Sequence, residues 1–285
     1  VILAVVLLKM GTYGVVRFSM PLFPDATRYF TPWLMALCVI GIIYGALVAM
    51  MQKDMKKLVA YSSVSHLGFC MLGVFAATQI GIQGGVLQMI NHGISTGALF
   101  LIVGILYERR HTRLIEEYKG LSHVMPFYAT IFLIMTLSSI GLPGLNGFIG
   151  EFMILQGTFQ VPELLVYAIL AASGIVLGAA YMLWLFQRVM FGDCDKVENK
   201  QLKDLNWREI ATFVPLIVLA VWIGIFPSFW LKYLDEPVKQ VVGRMQAPSQ
   251  TVMVRPAVPP DLGVAVRKMD PPAPAPAVQP ASSAK

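Results

Sequence analysis

Seven long apolar runs restrict what this sequence can fold into. They cover approximately residues 1–20, 32–51, 57–77, 82–107, 125–159, 163–190 and 211–231, and each is long enough to cross a bilayer as a helix. Inside hydrocarbon only helices and closed barrels satisfy their backbone polar groups, and continuous runs of this length favour helices. The sequence therefore predicts an all-α polytopic membrane protein with about seven transmembrane helices.

Composition supports this class, because hydrophobic residues make up 56% of the chain and charged residues only 13%. A soluble domain carries about a quarter charged residues. The formal net charge of +6 comes from basic links between the apolar runs, and no basic run is interleaved with aromatic residues. The expected partner is therefore the lipid bilayer, and nucleic acid is not expected.

Basic and weakly basic links alternate along the chain. Links 52–57, 108–119 and 188–208 are rich in lysine or arginine, whereas links 21–32, 78–83 and 162–163 are poor in them. The positive-inside rule places the basic links in the cytoplasm, so residue 1 starts on that side. We expect a transmembrane domain over residues 1–235 and a Pro/Ala-rich, disordered tail over residues 236–285, ending "MDPPAPAPAVQPASSAK". The chain opens at Val1 inside an apolar run, so we also expect that a preceding part of the protein is absent from it.

Motifs for bound cofactors are missing from the sequence. Cys38, Cys70 and Cys194 lie far apart and have no iron–sulfur or zinc spacing. There is also no glycine-rich nucleotide loop. We expect this chain to bind neither a cofactor nor a metal ion.

The fifth apolar run is longer than one bilayer requires, and its centre reads "SSIGLPGLNGF". Gly141, Pro143, Gly144 and Gly147 in so short a stretch predict a broken helix. A break inside a membrane must face protein or a water-filled cavity, as it does at ion sites in transporters. We expect a discontinuous helix near Gly141–Gly147, although a hairpin of two short pieces or a simple proline kink is an alternative. Asn146 adds a polar side chain there.

Two ionisable residues lie within the first and third apolar runs. A charge at the centre of a bilayer costs about 2.5–3.5 kcal/mol on insertion scales, so each requires a reason. Lys9 has Thr12 and Tyr13 at i+3 and i+4, which predicts a polar stripe, although snorkelling to the surface is the plainer explanation. His66 lies one turn from Ser62; alone it is as well explained by a hydrogen bond between helices.

Two more ionisable residues lie within the fourth and fifth apolar runs. His92 shares a helical face with Gln88, Ser95 and Thr96, a stripe typical of a hydrated track or of hydrogen bonds between helices. Imidazole, with an ordinary pKa of about 6.5, both accepts and donates protons near neutrality. Glu151 follows the predicted break, where a helix N-terminus would favour the carboxylate while burial would oppose its charge.

Taken together, these four residues on four helices indicate a path for ions near the middle of the membrane. A metal site formed by His66, His92 and Glu151 is improbable, because the three lack local ligand spacing. The residues alone thus predict a proton or cation translocator.

Three stretches carry a resemblance to a known family. "DMKKLVAYSSVSHLGF", "MINHGISTGALFLIVGILYERRHTR" and "GLPGLNGFIGEFMIL" closely resemble the antiporter-like membrane subunits of respiratory complex I, the proton-translocating NADH:quinone oxidoreductase. Among these the closest likeness is to the subunit M family, whose mitochondrial counterpart is subunit 4. The resemblance extends approximately over residues 1–235.

This resemblance implies a fold of fourteen helices in two inverted repeats, of which the chain would be the C-terminal half. The break then matches the discontinuous twelfth helix of the family. Lys9, His66, His92 and Glu151 fall where the family has relay residues. The family's other glutamate–lysine pair is not in this chain, which is therefore not expected to complete a transmembrane path alone.

The function implied is outward proton translocation, coupled to electron transfer from NADH to quinone in other subunits of the enzyme. NADH, FMN, iron–sulfur clusters and quinone would belong to those partner subunits, and no catalytic redox residue would lie here. The implied partners are the other membrane-arm subunits, above all the sister antiporter-like subunits. The implied location is the inner (plasma) membrane of a bacterium, which the chain would cross several times.

Two other functions remain open. Subunits of multi-subunit cation/proton antiporters share "SHLGF" and the broken helix, although the "YERRHTR" link favours the complex I family. A structural spacer in a membrane arm, with His66 and His92 as hydrogen-bond ties, is the third hypothesis.

Overall fold

The computed structural model describes residues 2–246 of the chain. Over this range no β-strand occurs, and pairing of extended backbone is limited to one isolated bridge between Asp54 and Leu114. The predicted all-α class is confirmed.

Within this range, the α-helices are α1 (Leu8–Gly14), α2 (Met20–Leu22), α3 (Pro24–Met50), α4 (Met55–Phe75), α5 (Gln79–Arg110), α6 (Pro126–Ser139), α7 (Asn146–Phe159), α8 (Leu165–Met190), α9 (Val197–Lys200), α10 (Trp207–Ile225) and α11 (Pro227–Gln246). Two π-helical turns, Leu3–Leu7 and Val15–Ser19, flank α1. Short 3₁₀ helices occur at Ile115–Glu117, Leu121–His123 and Pro162–Leu164.

In this part of the chain, five helical segments are long and apolar enough to cross a membrane: Pro24–Met50, Met55–Phe75, Gln79–Arg110, Pro162–Met190 and Trp207–Ile225. They match five of the seven predicted spans. The other two predicted spans, residues 1–20 and 125–159, are also helical, but each is divided into shorter pieces. The protein is thus a multi-pass membrane protein, as predicted.

The predicted discontinuity is confirmed between α6 and α7. Each half is 14 residues long, too short to cross a bilayer by itself. Gly141 and Gly144 in the link have φ of +74° and +95°, a region open to glycine and strained for other residues. The link folds back on α6, because the Leu142 amide donates to the Leu137 carbonyl at 3.0 Å. The sequence "GLPG" therefore interrupts the helix with a short, hydrogen-bonded link rather than a simple proline kink.

Helix α5 lies at the centre of the bundle and contacts α4, α6, α7, α10 and α11. Small residues allow this approach: a side chain at Gly84 would press on Met153 and Ile154 of α7. Helices without a strong hydrophobic driving force in lipid associate through such close packing. This packing brings the faces of α4, α5 and α7 that carry the polar residues together.

The links predicted to be cytoplasmic form an ordered polar layer. Asp204 accepts hydrogen bonds from the Phe127 and Tyr128 amides at 2.9 and 3.1 Å, and so caps the first turn of α6. Arg109 at the end of α5 pairs with Glu209 of α10 at 2.7 Å. The Lys196 ammonium donates to Glu117 and holds the pKa of that carboxyl below its ordinary value. Hydrogen bonds and ion pairs therefore hold the ends of several helices in register on this side.

The C-terminal helix α11 was not predicted. It packs apolar residues such as Leu234 and Val238 against the bundle, and Gln79 of α5 donates to its Asp235 at 2.6 Å. Residues 236–246, expected to belong to the tail, are therefore helical, because an apolar residue recurs every three or four positions. The rest of the expected tail, residues 247–285, lies outside the described residues.

Candidate functional site

The four ionisable residues predicted inside the membrane spans form one row across α1, α5, α4 and α7. Lys9 Nζ is 2.6 Å from His92 Nδ1. The rings of His92 and His66 have centroids 5.4 Å apart. His66 Nδ1 is 3.4 Å from Glu151 Oε1. The row therefore runs Lys9–His92–His66–Glu151, an order that the sequence does not reveal.

The row is largely shielded from its surroundings. His92, His66 and Glu151 are 2%, 7% and 4% exposed, and Lys9 is half-buried. In such an interior of low dielectric constant, a charge is stable only with polar or oppositely charged neighbours. Each member of the row has another titratable group as its neighbour.

Glu151 lies in the second turn of α7, because this helix begins at Asn146. The effect of a helix dipole falls off within the first turn, so stabilisation of the carboxylate by the helix N-terminus is weaker than we expected. Other groups take that role: Gln88 Nε2 donates to Glu151 Oε1 at 3.2 Å, and His66 lies on the same oxygen. The second oxygen faces Gly141, where a Cβ would lie 2.6 Å from Oε2.

Asparagines tie α5 to the break between α6 and α7. Asn91 Nδ2 donates to the Asn146 carbonyl at 2.7 Å and to Gln88 Oε1 at 3.2 Å. The Ser138 hydroxyl donates to Asn146 Oδ1 at 2.6 Å. These buried bonds tie the end of α6 to the start of α7, and α7 to α5. Gln88 and Asn146, both predicted as supporting residues, thus belong to the site.

The other predicted supporting residues differ in their placement. Thr12 is buried and donates to the Lys9 carbonyl at 2.9 Å, whereas Tyr13 is 57% exposed and faces away from the row. Ser62 and Ser95 donate to carbonyls of their own helices, Val59 and Asn91 respectively, at 2.8 and 2.9 Å.

Thr96 is fully buried, and its hydroxyl has no hydrogen-bond partner among the described residues. It lies one turn beyond His92 on α5. Of the two residues that helical spacing puts on the Lys9 face, Thr12 is buried and Tyr13 is exposed.

Sequence reasoning missed several residues of the site. Asn91 directly precedes His92 on α5 and had no predicted role. Ser138 and Ser139 lie in the quoted break motif, and Ser139 Oγ is 3.5 Å from His66 Nε2. Tyr181 of α8 is buried beside this group, and its apolar surroundings "GAAYMLWLF" give no sequence signal.

A small cavity lies beside His66 and Glu151. Its volume, measured as the space open to the centre of a water molecule, is about 10 Å³. The residues lining it come from α4, the break, α7 and α8, and the polar ones are Ser65, His66, Ser139, Glu151 and Tyr181. The break in the helix therefore borders protein and this small cavity.

Metal-binding side chains do not cluster in the part of the chain that the structure describes. No three histidine, cysteine, aspartate or glutamate residues among residues 2–246 are grouped so that they could hold an ion. Cys38, Cys70 and Cys194 are free thiols, and the first two are buried. The site geometry instead suits proton transfer, since an amine, two imidazoles and a carboxylate follow one another within short distances.

A family model described as NADH:quinone oxidoreductase/Mrp antiporter, transmembrane, matches residues 1–178. The chain belongs to this NADH:quinone oxidoreductase/Mrp antiporter family. The resemblance predicted from the three sequence stretches is confirmed.

Similar members of the family carry the names of complex I subunits. NADH-quinone oxidoreductase subunit M of Rickettsia prowazekii is 50% identical over 242 residues, which cover 85% of this chain and 49% of that protein. NADH-ubiquinone oxidoreductase chain 4 of Marchantia polymorpha is 49% identical, with coverages of 85% and 48%. The chain thus spans about half the length of the curated relatives that it matches.

Two solved structures share the fold of this family member. A chain of respiratory complex I from Thermus thermophilus with bound NADH superposes with a TM-score of 0.78 at 36% identity, covering 85% of this chain and 50% of that one. A chain of the Mrp complex from Dietzia sp. gives a TM-score of 0.74 at 17% identity, with coverages of 84% and 53%. The second likeness shows a common fold and nothing further.

Proposed function

We propose that this chain is part of a proton-translocating membrane-arm subunit of an NADH:quinone oxidoreductase, as its subunit M and chain 4 relatives are named. The observation that carries the proposal is the buried row Lys9–His92–His66–Glu151, in which successive titratable groups on four helices lie side by side. A structural role would need only satisfied hydrogen bonds, whereas His92 Nε2 and His66 Nδ1 are buried without them among the described residues.

The proposed mechanism moves one proton at a time along the row. An ammonium at Lys9 donates to the neutral imidazole of His92, which passes a proton to His66, with water between the rings where they do not touch. His66 then gives the proton to the carboxylate of Glu151. Gln88 holds that carboxylate in place by donating to Oε1, so the acceptor is already oriented.

We propose that the energy for this transfer is supplied by other subunits. Moving one charge against 100 mV requires about 2.3 kcal/mol. Electron transfer from NADH to quinone in partner subunits would supply it, and FMN and iron–sulfur clusters would be bound there. This chain contributes no redox chemistry and acts as a subunit of the enzyme.

The proposed partners are the other membrane-arm subunits, in particular the sister antiporter-like subunits. Bacterial relatives at 47–50% identity support a location in the inner membrane of a bacterium, and relatives named chain 4 from plants fit equally well by identity. The protons would move from the cytoplasm outwards.

The experiment that tests the proposal uses the full-length subunit in its assembled complex. Glu151→Gln and His92→Ala should slow proton transfer through the row by about 100-fold or more, because each removes an acid–base group from it. The measurement is protons translocated per NADH oxidised in membrane vesicles. Matched controls are Glu163→Gln and His123→Ala, the same changes at exposed residues in links, which should leave the ratio unchanged.

If both row variants assemble and translocate protons at the wild-type ratio, the relay is wrong and the row is structural. A cation/proton antiporter is the second candidate, because the same family includes Mrp antiporters. It predicts transport that depends on sodium and persists without NADH. Transport that depends on sodium and persists without NADH would favour the antiporter and overturn our proposal.

A further inference from the structure

A chain of hydrogen bonds connects the break to Glu151 through two side-chain amides of α5. Asn91 Nδ2 donates to the backbone carbonyl of Asn146, the first residue of α7, and also to Gln88 Oε1. Gln88 Nε2 in turn donates to Glu151 Oε1 at 3.2 Å. Gln88 and Asn91 are 2% and 1% exposed, so these bonds are shielded from bulk water.

The direction of this chain of bonds is fixed at the Asn146 end. The two ends of an amide group have similar shapes but opposite polarities, because the nitrogen only donates and the oxygen only accepts. A backbone carbonyl also only accepts, so Asn91 must turn its nitrogen towards Asn146. That nitrogen requires an oxygen from Gln88, which leaves the nitrogen of Gln88 to face Glu151. The backbone of the break thus determines which group is presented to the carboxylate.

The orientation of Asn91 leaves one of its own atoms unsatisfied. Asn91 Oδ1 is buried and has no hydrogen-bond partner among the described residues, which costs free energy. Turning the amide round would place Oδ1 against the Asn146 carbonyl, where two acceptors repel, and would take both acceptors away from the nitrogen. The observed orientation satisfies two donors at the expense of one acceptor and is therefore the better of the two.

We infer that Asn91 is a positioning residue that acts on Glu151 through Gln88. By holding the nitrogen of Gln88 towards Oε1, Asn91 keeps Glu151 in its ionised form, ready to accept a proton from His66. A hydrogen bond to a charged group is about twice as strong as one between neutral groups, so the Gln88 bond is strongest while the carboxylate is ionised. The role in transfer rests on the proposed function, whereas the effect on the charge of Glu151 does not.

Asn91→Leu tests this role by removing the amide while keeping its approximate shape. Gln88 can then turn, and its oxygen can accept a hydrogen bond from Glu151 in the acid form. We expect about ten times more acid relative to carboxylate at any given pH, the effect of one hydrogen bond to a charged group. Asn199→Leu of α9 is the control, because this asparagine is equally buried but donates to the Glu117 carbonyl.

The measurement is the C=O stretch of the carboxylic acid in infrared spectra of the resting, assembled complex, followed over a range of pH. The band belongs to Glu151 if adding Glu151→Gln removes it. The other titratable groups that act on Glu151, namely His66 and Cys70 of α4 and Tyr181 of α8, are the same in all these variants.

Gln88→Met tests whether Asn91 acts through Gln88. It removes the donor to Glu151 and should change the ratio of acid to carboxylate by about the same ten-fold. The double variant should then change this ratio no more than Gln88→Met alone, whereas independent structural effects would multiply. Gln83→Met is the control, since this residue of α5 donates to Asp235 and not to the row.

Gly150→Ala is a second perturbation that removes no hydrogen-bonding group. The new Cβ would collide with Gln88 Oε1 and push this flexible end of the side chain from its place between Asn91 and Glu151. Alanine suits the interior of a helix better than glycine, and we expect a similar rise in the acid form. This variant decides the question if Asn91→Leu does not assemble.

The outcomes separate this inference from the proposed function. An acid band from Glu151 in the wild type at neutral pH overturns the inference, as does an unchanged ratio in Gln88→Met and Gly150→Ala, or a double variant whose effects multiply. If the ratio changes as expected but Glu151→Gln translocates protons normally, the positioning role stands and the proposed function fails. If Glu151→Gln abolishes translocation as well, both stand, and Asn91→Leu should lower the ratio of translocated protons to oxidised NADH.

Discussion

Gly141 is the residue on which the geometry of Glu151 depends most directly. Its φ of +74° belongs to the left-handed region, and a Cβ there would lie 2.6 Å from Glu151 Oε2, so the carboxylate would have to shift. The backbone of the break therefore forms one side of the carboxylate's pocket, opposite Gln88 and His66. Because residue 141 is glycine and has no Cβ, the carboxylate of Glu151 has room beside it.

We predict that Gly141→Ala impairs proton translocation more than it impairs stability. The left-handed conformation costs an alanine about 1–2 kcal/mol, and the Cβ would in addition push Glu151 from its position. The measurement is again the ratio of translocated protons to oxidised NADH in the assembled complex.

The control for this prediction is Gly144→Ala, three residues away in the same link. Gly144 also has a positive φ, of +95°, but a Cβ there meets nothing within 4 Å. Alanine at position 144 should therefore introduce a similar backbone strain without touching Glu151. Equal losses of translocation in the two variants would show that strain, and not displacement of the carboxylate, is responsible.

Among the elements, α6 depends on a partner that is remote in sequence. Its first turn has no capping side chain of its own, and Asp204 from the link after α9 accepts its amides instead. Arg109 contacts the carbonyl of the same Asp204, so one link residue serves α5 and α6 together. The half-helix that leads to the break is thus anchored at the opposite end by a different part of the chain.

Asp204→Ala should loosen this anchor. Loss of a cap destabilises a helix end by about 1 kcal/mol, which predicts amide hydrogen exchange about five-fold faster in the first turn of α6. Exchange at the amides of Phe127 and Tyr128, followed by mass spectrometry, is the measurement. The control is Asp195→Ala, in the same link as Asp204. It removes an exposed ion pair with Lys119 and should leave exchange in α6 unchanged. Unaltered exchange at Phe127 in the Asp204 variant would contradict the capping role.

Most of the elements could be predicted from the sequence because hydropathy is a local property. The five long spans, and the break at "GLPGLNG", follow from apolar length and from glycine and proline. Helix α11 could not be found in the same way, since its apolar residues are spaced among charges and form a stripe only once the helix exists.

The four ionisable residues of the row could be named from the sequence, but the order in which they lie could not. Buried ionisable residues are conspicuous in apolar runs, so Lys9, His66, His92 and Glu151 could be named from the sequence. Which of them touch depends on how α1, α4, α5 and α7 pack, and this is a property of tertiary structure. Tyr181 was missed for another reason, because a buried tyrosine in a membrane helix is usual in itself.

The whole molecule has an expected orientation that the free cysteines can test. The positive-inside rule places the link with Cys194 in the cytoplasm, whereas Cys38 and Cys70 are buried within helices. A maleimide that cannot cross membranes should therefore label Cys194 only in inside-out vesicles, and the other two only after denaturation. Labelling is read from the mass of peptides that contain each cysteine.

The opposite side requires an introduced thiol. Glu163→Cys, made together with Cys194→Ser, changes an exposed residue in the link between α7 and α8 and should be labelled only in right-side-out vesicles. The same sidedness for residues 163 and 194 would mean that α8 does not cross the membrane. Reversed sidedness for both would invert the direction of the proposed transport.

The 2.6 Å contact between Lys9 Nζ and His92 Nδ1 allows only one hydrogen between the two nitrogens. If the amine carries it, Nδ1 is bare and the ring proton sits on Nε2; if the ring carries it, the lysine is uncharged. A further proton on this pair would set two donors against each other and force the side chains apart. In the relay that we propose, the pair would therefore hold one charge at a time, and a second proton could enter only after the first has moved to His66.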